Sequence, residues 1–184
     1  MKMVRQKKNK GEKTQEEEEI RESESLAPVI SLKALAGVPT VANYNTIKVS
    51  GSVNGSKVHI LVDSGSTHNF LDSYIVEKLE CETIKCSPVK VVVADSYTTQ
   101  CDKMCLGMKW KMQGVEFQAD VLILPIEGSQ MVLGTQWLAM LGPILWDFSN
   151  LRMEFTVGNK KVVLRGSPQP KLQLMSGKSL LNVL

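Results

Sequence analysis

The stretch Ile60-Leu61-Val62-Asp63-Ser64-Gly65-Ser66-Thr67 decides how this chain is read. An apolar run leads straight into one acid, then a hydroxyl residue, then a glycine. The run predicts a buried strand that presents a carboxylate at its end. A rigidly held acid of this kind suits amide hydrolysis by a water bound between two carboxylates. Like charges so close cannot both ionise, so the pair shares a proton and its two apparent pKa values split. One acid then acts as base toward the water while its protonated twin polarises the carbonyl. Ser64 offers a hydroxyl that can bond across to a partner loop. Gly65 lets another backbone approach with no Cβ in the way. Ser66 stands where its hydroxyl can reach the outer oxygen of Asp63.

The motif occurs once. Asp72, Asp95, Asp102, Asp120 and Asp147 all lack the Ser/Thr-Gly that must follow, and Asp147 reads as a turn or capping carboxylate. A single acid per chain predicts that a second copy supplies the other, with a two-fold axis setting identical loops face to face. The bland alternative is a carboxylate in an ordinary turn after a strand, so the surroundings must carry the argument.

They are β-rich. Thr46 to Val53 and Lys57 to Val62 flank Asn54-Gly55, the strongest hairpin signal in a sequence. Leu71 to Leu79 predicts a short helix with Asp72 or Ser73 as N-cap. Val89 to Ala94 is a valine-rich strand, Asp95-Ser96-Tyr97 a turn tip, and Thr98 to Cys101 its return. Lys109 to Met112 and Val115 to Leu124 pair across Gln113-Gly114. Thr135 to Leu141 predicts a second short helix, ended by Gly142-Pro143. Leu151 to Val157 and Lys160 to Leu164 form a last hairpin across Gly158-Asn159. Short strands at this spacing predict an all-β barrel or sandwich-like domain. Trp137 and Trp146 fall inside apolar patterns and read as core.

The chain has 184 residues, a net charge of +3 and an ordinary apolar fraction, which predicts one domain with a tail. Residues 1–28 are polar and split by charge, basic from Lys2 to Lys13 and acidic from Glu16 to Glu24, the pattern of a solvated segment. Residues 29–44 read as a linker, 45–166 as the folded domain and 167–184 as a tail without pattern. The basic arm is the only feature pointing to nucleic acid; the acidic block beside it and the lack of interleaved aromatics argue against that partner. No apolar run is long enough to span a bilayer, and Met1 to Lys13 leads into no apolar segment, so it is not a secretory signal. The cytosol is the expected location. Cys81, Cys86, Cys101 and Cys105 lack tight C-x2-C pairing, and the two histidines, His59 and His68, lie upstream of them. These cysteines read as small buried apolar groups, not zinc ligands. Neither metal nor organic cofactor is expected.

Several ordered segments together resemble one family. Ile60 to Phe70 resembles the catalytic segment of the retropepsin-like protease found in plant gypsy-type LTR retrotransposon polyproteins. Val91-Val92-Val93-Ala94-Asp95 resembles its flap strand. Met131-Val132-Leu133-Gly134-Thr135-Gln136-Trp137-Leu138 resembles the apolar-Gly element and helix beneath its active site. Gly142 to Phe148 and Leu151 to Phe155 resemble its closing hairpin, and Ile30 to Gly37 also has a counterpart. The resemblance implies a retropepsin-like acid protease barrel with one or two short helices, one lobe per chain. It implies a homodimeric aspartic endopeptidase acting on its own polyprotein. Asp63 would be the catalytic acid, Ser64 the hydroxyl bonding across the dimer, and Gly65 the donor of a carbonyl to substrate, with Ser66 supporting the loop. Asp95, Ser96 and Tyr97 fall where the flap folds over an extended peptide, held by main-chain hydrogen bonds in the manner of strand addition. The chain departs from the pattern at Ser96, where the flap tip usually has glycine, and at Gln130, where an acid is common. A second reading is a catalytically silent module of the same fold, kept for dimerisation or peptide binding.

Overall fold

The computed structural model describes residues 27–36, 47–93 and 97–167. Its elements in chain order are strand β1 (Val29–Ile30), helix α1 (Leu32–Ala36), β2 (Ile47–Val53), β3 (Ser56–Val62), β4 (Phe70–Asp72), helix α2 (Ser73–Lys78), β5 (Ile84–Val93), β6 (Thr98–Met112), β7 (Val115–Leu124), β8 (Met131–Leu133), helix α3 (Thr135–Leu138) running into a 3-10 turn (Ala139–Leu141), β9 (Leu145–Asp147), β10 (Arg152–Val157) and β11 (Lys160–Arg165). The strand order β6-β2-β3-β8-β4-β7, closed by a β6–β7 pairing, is a six-stranded barrel. Strands β5 and β1 extend it beyond β6, and β9, β10 and β11 form a separate three-stranded sheet.

The hairpins follow from turn chemistry. Asn54 (φ 48°) and Gly55 (φ 79°) both take positive φ, the conformation a two-residue turn between twisted strands demands. They set β2 against β3 in the register Val53↔Ser56 to Ile47↔Val62. Gln113 and Gly114 repeat the device between β6 and β7. Strand β6 is far longer than its two recognisable pieces. A bulge between Cys105 and Met108 carries Gly107 at φ 54°, whose N–H donates to Asp120 Oδ1 at 2.8 Å. That bulge broke the apolar alternation while the strand continued through it. Leu71 and Asp72 lie in β4, paired with β7 and β8, so the expected helix begins only at Ser73, capped by Asp72 Oδ1 accepting from Tyr74 N.

Two apolar clusters result. The larger contains Ile60, Val62, Met131, Leu133 and Trp137, with Trp137 edge-on to Phe117 and Phe155. The smaller contains Leu61, Val91, Val93, Leu124 and Val132 together with Ile30 and Ala34. Adjacent residues at the end of β3 and along β8 therefore face opposite clusters, which is why Ile60–Val62 and Met131–Leu133 read as unbroken apolar runs. Trp146 sits at the rim of the larger cluster, half-buried and stacked on the exposed Phe148, so it is not full core.

The linker reading of 29–44 needs correction where the structure describes it. Val29 and Ile30 pair in parallel with Val92 and Val93 of β5, and Ile30 and Ala34 are fully buried. Residues 37–44 lie outside the described residues, as do nearly all of 1–28 and of the tail.

Candidate active site

Asp63 follows directly on β3. Parallel pairing sets Val62 opposite Leu133 of β8, and the Asp63 N–H donates to the Leu133 carbonyl at 2.9 Å. The carboxylate thus continues a strand buried on both faces, and its backbone is fixed by the sheet rather than by the loop. Around it the loop folds inward. Ser66 Oγ donates to Asp63 Oδ2 at 2.7 Å, and Gly65 N–H donates to Oδ1 at 3.1 Å. Ser66 is buried, whereas Ser64 and Gly65 stand exposed at the outer edge of the loop. In this position a second copy of the loop can reach them.

The floor beneath the loop is built by α3. Thr135 N–H donates to the Ser66 carbonyl at 2.8 Å and Gln136 N–H to the Thr67 carbonyl at 2.9 Å. The free N–H groups of a short helix thereby satisfy the carbonyls of the Asp63 turn. Gly134 is compulsory here: a Cβ would lie 2.4 Å from the His68 carbonyl oxygen and 2.5 Å from that of Ser66. Asn69, fully buried, ties three elements together. Its Oδ1 accepts from Gly134 N at 3.2 Å, its Nδ2 donates to the Asp120 carbonyl at 3.2 Å, and its backbone N–H donates to Gln136 Oε1 at 3.1 Å. Asn69 ends the polar run Ser64 to His68, just before the apolar Phe70-Leu71, so nothing local marked it as buried; a buried amide is stable only when its bonds are made. Gln130 accepts from His59 N–H at 2.7 Å through its amide oxygen, a bond that requires no charge.

One residue of the cluster escaped the sequence reading. Ser31 Oγ donates to Asp63 Oδ2 at 2.6 Å, beside the Ser66 hydroxyl. The same Ser31 oxygen accepts from Ala34 N–H at 3.1 Å, which makes it the cap of α1. Lys33 lies near enough to feel Asp63; burial and the Lys48 charge push its pKa down, and Asp63 partly offsets them.

Of the flap residues, Asp95 and Ser96 lie outside the described residues. Tyr97 is exposed, and its carbonyl accepts from Val93 N–H at 2.7 Å, drawing β5 and β6 together at their tip. The other acids serve structure: Asp72 caps α2, Asp120 holds the β6 bulge, and Asp147 accepts from both the backbone and side chain of Asn150. Those Asn150 bonds hold the exposed Asp147 carboxyl below its usual value. Among the described residues no group of three or more His, Cys, Asp or Glu is placed to hold a metal ion, and no helix is long and apolar enough to cross a membrane.

A closed barrel that presents one Asp-Ser-Gly turn above an apolar-Gly floor finds its counterpart in sequence. A profile of the retroviral aspartyl protease family matches residues 34–161. The chain belongs to that family. Among solved structures, the retroviral protease-like domain of Ddi1 from Leishmania major matches with a TM-score of 0.52 at 13% identity, over 70% of this chain and 98% of that one. At that identity the likeness speaks for a retropepsin-like fold alone. No curated protein matches the chain.

Proposed function

We propose that this chain is an aspartic endopeptidase, active as a homodimer in which each copy contributes one Asp63-Ser64-Gly65 loop. The observation that carries the reading is the state of Asp63. It is fixed by β3 and β8, held by Ser66 and Gly65, and accompanied by no second carboxylate among the bonds of its loop. A water activated between two Asp63 carboxylates needs two copies, and the exposed Ser64 and Gly65 are the groups on which they would meet. The substrate would be an extended polypeptide, in keeping with the family a polyprotein. The sequence motifs favour a plant gypsy-type retrotransposon as its source.

The test is cleavage of a peptide library by the purified chain at mildly acid pH, with Asp63→Asn alongside. Because the dyad must hold one proton, the optimum falls on the acid side of neutral. Rate per chain rises with concentration until the dimer saturates. Asp63→Asn is expected to lower kcat/KM by about a thousandfold or more, since the two carboxylates act as a unit. Equal cleavage by the mutant, or an optimum above about pH 8, would sink the proposal.

The silent-module reading is favoured by one observation, the Ser31 hydroxyl already donated to Asp63 Oδ2. It predicts a folded dimer that binds peptides without cleaving them at any pH.

A further inference from the structure

We propose that the segment Pro28–Ala34 is a built-in occupant of the peptide trough that ends at Asp63, bound as a substrate is bound, and that the trough selects an extended peptide with a branched aliphatic residue followed by a small one. This rests on the reading of Asp63 as a peptidase acid.

The hydrogen bonds carry the argument. From Pro28 to Ser31, before α1 begins at Leu32, the segment is extended and bridges two walls. On the β5 side the Pro28 carbonyl accepts from Val92 N–H at 2.8 Å. On the other side the Val29 carbonyl accepts from Thr67 N–H at 2.8 Å, and Val29 N–H donates to Thr67 Oγ1 at 2.7 Å. Ser31 N–H donates to Ser66 Oγ at 3.1 Å, and the Ser31 hydroxyl lands on Asp63 itself. These partners are the catalytic turn and the strand that leads to the flap. An extended chain that bonds through its backbone to both is bound by strand addition. Pro28 costs nothing in this place, because only its carbonyl is used.

The side chains say the same. Ile30 is fully buried among Leu61, Val91, Val93, Leu124 and Val132, and without it the cluster would open as an apolar trough leading to Asp63. No strand of the closed barrel ring comes from the segment, though the Leu35 carbonyl just after it accepts from Glu127 and Gly128 N–H. The ring β6-β2-β3-β8-β4-β7 closes with residues from Ile47 onward. A strand ring that closes without a segment, with that segment laid across Asp63, describes a ligand tethered to its site. Any peptide from outside must displace it, so apparent affinity is reduced by the fraction of molecules in which the trough is free.

The experiment uses the full chain and two probes, a fluorescein-labelled synthetic peptide of residues 25–34 and a peptide transition-state mimic of the statine type. In a folded Ile30→Asp chain, verified by its amide spectrum, the labelled peptide should bind about tenfold or more tightly than to wild type. The same peptide carrying Asp for Ile should bind neither. Equal binding to wild type and Ile30→Asp overturns the proposal. Should Ile30→Asp fail to fold, hydrogen exchange on wild type decides. The N–H groups of Ala34 and Leu35, bonded to Ser31 Oγ and the Ser31 carbonyl, should exchange about tenfold faster as the statine peptide is raised to about 1 mM. Protection unchanged at every concentration overturns the proposal. Neither readout needs turnover, so a chain that cleaves nothing still tests the occupant, and the cleavage assay tests Asp63 separately.

Discussion

The two apolar clusters of this molecule are closed in different ways. The larger is sealed by strands and turns of the barrel and by the closing sheet, each held by hairpin or ladder bonds. The smaller is sealed on one side by Ile30 and Ala34, which arrive on a two-residue strand and a five-residue helix. The first can open only if the domain unfolds. The second can open by letting one segment go. Both abut the same strand, since Ile60 and Val62 face one cluster and Leu61 the other. Asp63 therefore sits where a permanent core meets a removable one, and a buried strand of this kind keeps the carboxylate fixed while the trough above it exchanges occupants.

The permanent core is most sensitive at its floor. Trp137 is 1% exposed and packs against Phe117 and Phe155 at centroid distances of 5.4 and 6.1 Å. Trp137→Ala removes that filling and should cost about 3–5 kcal/mol, enough to consume much of an ordinary domain's stability. Gly134→Ala, whose methyl would strike the Ser66 and His68 carbonyls of the Asp63 turn, should cost a comparable amount, or else displace that turn and, on the proposed function, abolish cleavage in a chain that still folds. Denaturant melts and peptide cleavage separate the two outcomes.

A matched pair of isoleucines measures the difference directly. Ile60 and Ile30 are both fully buried, one in each cluster. Ile60→Ala should lower global stability by about 2–5 kcal/mol. Ile30→Ala should lower it by less, because the loss cannot exceed the free energy with which the segment docks. Its effect should appear instead as faster exchange at the amides of Leu35 and Val92, with the denaturant midpoint little moved. Equal midpoint shifts would make the two clusters a single core.

Much of this was legible in sequence, for identifiable reasons. Asn54-Gly55, Gln113-Gly114 and Gly158-Asn159 are turns whose residue types dictate backbone geometry, so the hairpins they join read out locally. The apolar-to-acid step at Val62-Asp63 reads out the same way. What stayed hidden depends on distance along the chain. Ser31 meets Asp63 across 32 residues, from elements too short to show any periodicity. The one clue was Ile60 to Val62 itself. A strand apolar at every position must be covered on both faces, and the recognisable hairpins covered only one. Strand β6 was hidden by its bulge, where the sequence loses alternation but the ladder resumes.

The cysteines offer a smaller test. Cys105 belongs to the permanent core and Cys101 to the removable one. Burial pushes the Cys105 thiol up to about 11, and burial likewise raises Cys101 despite its bonds to the Lys103 and Ile123 carbonyls. Neither should react with iodoacetamide at neutral pH in the folded chain. Ile30→Asp, which frees the trough, should speed alkylation of Cys101 and leave Cys105 unchanged, as followed by mass spectrometry.

The smallest expected effect concerns His68, beside the residue that clasps the segment. Its Nδ1 lies 2.9 Å from Thr67 Oγ1, and burial lowers its pKa below the usual 6.5. Desolvation disfavours the charged ring, so the folded chain refuses a proton that the unfolded chain accepts. Above about pH 6.5 the ring is neutral in both states and contributes no pH dependence. As pH falls below that value the unfolded state binds more protons, and stability declines until the folded pKa is passed. The carboxylates add their own slope at lower pH, so the His68 part must be isolated by difference. His68→Gln keeps a polar side chain without a titrating ring. Between about pH 7.5 and about pH 5.5, one unit either side of an ordinary imidazole, the urea midpoint should fall further in wild type than in His68→Gln. An equal fall in both would mean that His68 titrates in the folded chain as it does in water, and that the turn holding Val29 is wetter than its packing indicates.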